Sequence, residues 1–94
     1  MAPANAYAHH DLASLYLSQG KRARAERELA TAAKADPLFP NPPMLMGQVR
    51  FAQKRYEEAV EAYDKALNLS PLPAQQLELK QLLDDARKGA AIQA

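Results

Sequence analysis

His9, His10 and Asp11 are the first residues in the chain whose types bear on chemistry, because two imidazoles beside a carboxylate are common donors to zinc and similar cations. Their spacing works against a site. Neighbouring residues on a helix diverge by about 100°. The positions four residues on, where further ligands would share a face, hold Ala13 and Ser14. His9 is therefore expected to fill a packing position and His10 to face solvent or a groove. There is no cysteine, so neither thiolate catalysis nor a disulfide framework is available. No glycine-rich phosphate loop is present, and no serine stands in a motif with a histidine and a carboxylate. The expectation is a protein with no catalytic residue, no metal and no cofactor.

Charge is the next candidate for function. Lys21, Arg22, Arg24 and Arg27 form a basic stretch, and Glu57, Glu58, Glu61 and Asp64 form an acidic one. Glu26 and Glu28 interrupt the first, and no aromatic residue interleaves it, so a solvated outer face is favoured over contact with nucleic acid phosphates. The whole chain has 12 basic and 11 acidic residues and a net charge of +1, too balanced to steer it to a polyanion. No nucleic acid partner is expected. No apolar run has the length of a membrane span, and the stretch from Met1 to Asn5 lacks the basic start and apolar core of a signal peptide, so no membrane insertion is expected. The two charged faces would suit a head-to-tail contact between copies.

Ninety-four residues suffice for one domain with a modest core. Much of the apolar share is alanine, which favours helix. A first helix is predicted from Asn5 or Ala6 to Ser18, with Gly20 as the turn, and a second from about Lys21 to Ala35, closed by Asp36-Pro37. Leu38 to Pro43 is the only proline-rich stretch. Asn41 is predicted as the N-cap of a third helix starting at Pro42 and ending near Gln53 and Lys54. Lys54 stands where the earlier turn has Gly20, which predicts a non-glycine residue with positive φ. The fourth helix, from Tyr56, carries Tyr56, Ala59, Val60, Tyr63, Ala66 and Leu67 at helical spacing and is stopped by Pro71. A fifth helix is predicted over 73–88. Leu72, Leu79, Leu82, Leu83, Ala86 and Ala90 form its stripe, Gly89 its stop, and 91–94 a frayed end.

The fourth segment repeats the second. Ala59, Tyr63, Ala66 and Pro71 fall on Ala25, Leu29, Ala32 and Pro37 with a period of 34 residues, the separation of the two prolines. With His9, Leu12, Ala13 and Tyr16 before the first set, and Pro43, Met46, Gly47 and Arg50 before the second, the chain resembles the tetratricopeptide repeat family over residues 6 to 73. It departs from the family pattern at His9 and Pro43, where tryptophan is usual, and at Arg50, where tyrosine is usual. The resemblance implies an all-α, right-handed superhelix of two helix-turn-helix units plus a C-terminal capping helix, five helices in one domain. Repeat one would span 6–39, repeat two 40–73 and the cap 73–88.

The resemblance also implies a non-catalytic interaction module whose first helices line a concave surface for a partner's peptide or helix. The implied lining is Tyr7, His10, Asp11, Ser14 and Leu17 from the first unit, and Asn41, Met44, Leu45, Gln48 and Phe51 from the second. Asp11 and Leu45 occupy positions where carboxylate-clamping members carry asparagine, so a clamp for a chain-terminal carboxylate is not expected. The contact residues are instead taken as Met44, Leu45, Gln48 and Phe51, with Tyr7, His10, Ser14 and Asn41 beside them. Leu77 lies off its helix stripe and aligns with His9 and Pro43. It points to two further readings, a homo-oligomer that completes the short array or a piece of a longer solenoid.

Overall fold

The computed structural model describes residues 4–70 and 72–93. Readings placed on Met1 to Pro3, on Pro71 as a helix stop, and on Ala94 lie outside these residues. Five helices follow one another: α1 (Ala4–Ser18), α2 (Arg22–Ala35), α3 (Asn41–Ala52), α4 (Tyr56–Leu69) and α5 (Pro73–Gln93). The pairs α1 and α2, and α3 and α4, pack as hairpins, α2 meets α3, and α5 packs along α4. This is an all-α helical repeat.

The 34-residue period is written in the backbone as well as in the side chains. After α1 the Lys21 N–H donates to the Tyr16 carbonyl at 2.8 Å and the Gly20 N–H to Leu17 at 3.1 Å. After α3 the Arg55 N–H donates to Arg50 at 2.9 Å and the Lys54 N–H to Phe51 at 3.0 Å. Each pair is a Schellman closure, which needs a left-handed residue just past the helix. Gly20 supplies it at φ 76° and Lys54 at φ 61°. Lys54 is thus the strained counterpart that its alignment with Gly20 predicts.

Small residues set how closely the helices approach. In the first hairpin Ala13 on α1 meets Ala25 and Leu29 on α2 in a buried cluster, with Tyr16, Leu17, Leu45 and Met46 packed around it. In the second, the larger Tyr63 replaces Leu29, and the opposing residue shrinks from Ala13 to Gly47. A Cβ at Gly47 would stand 2.5 Å from the Tyr63 ring. Tyr63 joins Ala59, Ala66, Leu79, Leu83 and Ala86 in the second cluster, which α5 completes. Buried Ser70 ends α4 with its hydroxyl on the Ala66 carbonyl at 2.8 Å, while its own carbonyl accepts from Gln76 Nε2 at 2.7 Å.

Two boundaries and one member of an apolar stripe differ from the sequence expectation. First, α3 begins at Asn41 with Pro40 as its N-cap, one residue early, and no side chain caps it. Prolines 40, 42 and 43 bring no amide hydrogens to this end, so few donors need a cap. Second, α5 continues through Gly89 to Gln93. Gly89 is there for close approach rather than as a stop, since a Cβ on it would come within 2.6 Å of the Tyr56 ring. Third, Leu72 precedes α5 and is exposed, so the buried stripe of that helix starts at Leu79.

Candidate functional site on the face of α1 and α3

The predicted contact residues divide into several small groups. Tyr7 and His10, one turn apart on α1, both meet Phe39, at centroid distances of 4.8 and 5.7 Å. Phe39 itself is buried, so part of each ring is committed to holding the connection between the hairpins against α1. Sequence reasoning passed over Phe39 because it sits among prolines, outside any periodic segment. A large aromatic in a short proline-rich connection is the signal that would have found it.

Met44 and Leu45 are likewise partly structural. Met44 packs on the Tyr63 cluster and Leu45 on the Leu29 cluster. Asn41 Oδ1 accepts a hydrogen bond from Gln75 Nε2 at 3.3 Å, a link between residues 34 apart on successive first helices. Gln75 was not anticipated, although the period itself points to it. Phe51 stands edge-on to Tyr56 at 5.1 Å. Ser14 and Gln48 are exposed and uncommitted to either cluster.

The structure brings Leu45 and Gln48 to one recess of about 320 Å³. Its remaining lining is Leu17, Gly20, Arg22, Val49 and Ala52. It lies where the ends of α1 and α3 and the Gly20 turn converge. Arg22 supplies its one ionised side chain.

The charged residues do structural work between helices. Arg50, only 17% exposed, reaches Glu26 on α2 at 2.6 Å and Glu58 on α4 at 3.3 Å. It also donates to Gln53 Oε1 at 3.0 Å. The basic stretch and the acidic stretch are thus tied through a residue that belongs to neither. His9 belongs to neither apolar cluster, and its Nδ1 lies 2.7 Å from Glu28 Oε2 on α2. His10 Nδ1 has Asp11 at 3.7 Å. Among the described residues no group of three or more His, Cys, Asp or Glu is placed to hold a metal ion, and no helix is long and apolar enough to cross a membrane.

Tyr63 is buried in the second cluster. Burial, aided by the nearby negative charge of Asp85, pushes its phenol up to about 12.

Two helix hairpins stacked at a fixed period and closed by a further helix define an α-helical repeat protein. The family model described as the tetratricopeptide repeat matches residues 10–74, and the chain belongs to that family. No curated protein matches it. Proteins built on this repeat generally mediate protein–protein interaction or scaffolding, and they are generally non-catalytic.

Proposed function

We propose that the chain is an interaction module that holds a peptide segment or helix of a partner protein on the face made by α1 and α3. It comprises repeat one at 6–39, repeat two at 40–73 and a closing helix from residue 73. The observation that carries this reading is the recess between Leu17 and Leu45 with Gln48 at its edge, an apolar concavity on the helices that the repeat architecture leaves uncovered. Tyr7, His10, Ser14, Asn41, Met44 and Phe51 form the surrounding wall. Because Met44 and Leu45 also pack on the cores, changing them would confuse binding with folding. Ser14→Arg with Gln48→Arg alters only exposed positions. Loss of partner capture by this double variant, with an unchanged circular dichroism melt, is the expected result. Undiminished capture would refute the assignment.

A second reading is self-association. Leu77 is 72% exposed on α5, and Leu15 is 51% exposed on α1, while Val49 and Leu83, its equivalents by the period, are buried. Those two leucines support packing against a further helix hairpin, from another copy or a longer array. Under this reading Leu77→Asp lowers the mass seen by sedimentation velocity without unfolding the chain. A mass unchanged by the substitution at every concentration removes Leu77 from the contact.

A further inference from the structure

The 34-residue period allows one junction between first helices to be compared with the next, position by position. The recess is lined by Leu17, Arg22, Leu45, Gln48, Val49 and Ala52. Their equivalents at the junction of α3 and α5 are Phe51, Tyr56, Leu79, Leu82, Leu83 and Ala86. There Leu79, Leu83 and Ala86 are buried. The Phe51 and Tyr56 rings meet at 5.1 Å with planes 75° apart. The Tyr56 ring also lies against the bare backbone of Gly89. At the second junction two rings in mutual contact therefore hold the positions of Leu17 and Arg22. At the first, a leucine and an arginine stand in their place, and the space remains open.

We propose that the first junction receives from its partner what the second supplies internally: an aromatic side chain, seated between Leu17 and Leu45, with a carboxylate beside it on Arg22. Size permits one ring, since an apolar cavity of about 150 Å³ suffices for benzene and this recess measures about 320 Å³. Leu17, Leu45, Val49 and Ala52 give it an apolar floor. The carboxylate follows from charge. Arg22 is exposed, is in no ion pair among the described residues, and has Lys21 and Arg24 as its near neighbours in sequence. A guanidinium at the mouth of an apolar recess favours an anionic group next to the buried ring. This inference rests on the proposed use of the α1 and α3 face and adds the partner's chemistry to it.

The test is a titration of the ¹⁵N-labelled chain followed by amide shifts, with acetyl-Phe-Asp-amide as probe and acetyl-Ala-Asp-amide and acetyl-Phe-Asn-amide as controls. Saturable shifts are expected at Leu45, Gln48, Val49, Ala52 and the Gly20 turn. Affinity should fall by about tenfold without the ring and by about threefold without the carboxylate. Leu17→Phe, which copies the second junction, should abolish the response. Ala52→Leu fills the recess from an exposed position and serves as an independent block. Equal affinity for the alanine probe, or shifts that persist in both filled variants, would overturn the proposal. Shifts confined to Tyr7, Ser14 and Met44 would overturn it while leaving the face itself in use. No shift on α1 or α3, together with undiminished partner capture by Ser14→Arg/Gln48→Arg, would remove both.

Discussion

Arg50 Nη2 lies 2.6 Å from Glu26 Oε1, so an ion pair binds the second hairpin to the first where the repeat usually has a tyrosine. Glu26 and Val60 are equivalent by the period, and Val60 packs on the apolar cluster beneath α5. One junction is thus closed by hydrocarbon and the other in part by charge. Arg50→Met keeps the aliphatic stem, removes the charge and leaves Glu26 and Glu58 without their shared partner. A loss of about 1–2 kcal/mol is expected, between the values for exposed and buried pairs. Urea denaturation at low and high salt checks it. The wild type should lose stability with salt and the variant should not.

Gly47→Ala should destabilise the chain despite the better helix propensity of alanine. The propensity gain is about 1 kcal/mol, whereas forcing a Cβ to 2.5 Å from the buried Tyr63 ring is overpacking of about 1–3 kcal/mol or more. The first hairpin shows the remedy, alanine opposite leucine. Adding Tyr63→Leu to Gly47→Ala should recover a substantial part of the loss, and the double-mutant cycle should show strong coupling.

Lys54→Gly should stabilise. The left-handed residue that closes α3 is unfavourable for lysine and free of steric cost for glycine, as at Gly20. A gain of about 0.5–1 kcal/mol in chemical denaturation is expected, net of the extra freedom glycine has when unfolded. The reciprocal change, Gly20→Lys, should lose a similar amount.

Tyr63 contributes a pH-dependent share of stability at alkaline pH. Its folded pKa, pushed up to about 12 from 10, means the folded state holds the phenolic proton more tightly than the unfolded chain. Its contribution is complete below pH 10 and is lost as pH rises through 12, a window worth on the order of 2–3 kcal/mol. Tyr63→Phe should flatten stability against pH across that interval, measured by thermal melts at fixed ionic strength.

Much of this fold was legible because one pattern was written twice. Ala25 and Ala59, or Leu29 and Tyr63, announce the same packing role from two places, and Gly20 against Lys54 announces a shared backbone conformation. The two boundaries misread, at Pro42 and at Gly89, were both placed on punctuating residues. Proline and glycine punctuate helices locally, but tertiary contact can override them, as the Tyr56 ring does at Gly89. The candidate face was legible only as a set of positions. Periodicity shows which residues leave the core stripe, yet it does not show that Phe39 occupies the edges of Tyr7 and His10, or that Gln75 engages Asn41. The first set comes from a connection that carries no period, and the second joins equivalent positions whose side-chain pairing the period alone does not specify. The recess arises from a difference in size at equivalent positions, Leu17 against Phe51 and Arg22 against Tyr56, which becomes space only once α1 and α3 are packed.

Whether the α1 and α3 face meets the partner can be read by site-specific photocrosslinking. A benzophenone side chain would be placed at Ser14, at Gln48 and at Thr31, the last an exposed position on α2, and irradiated in extract from the source cells. One common adduct is expected from positions 14 and 48 and none from 31. An adduct from 31 alone, or none from either 14 or 48, would contradict it.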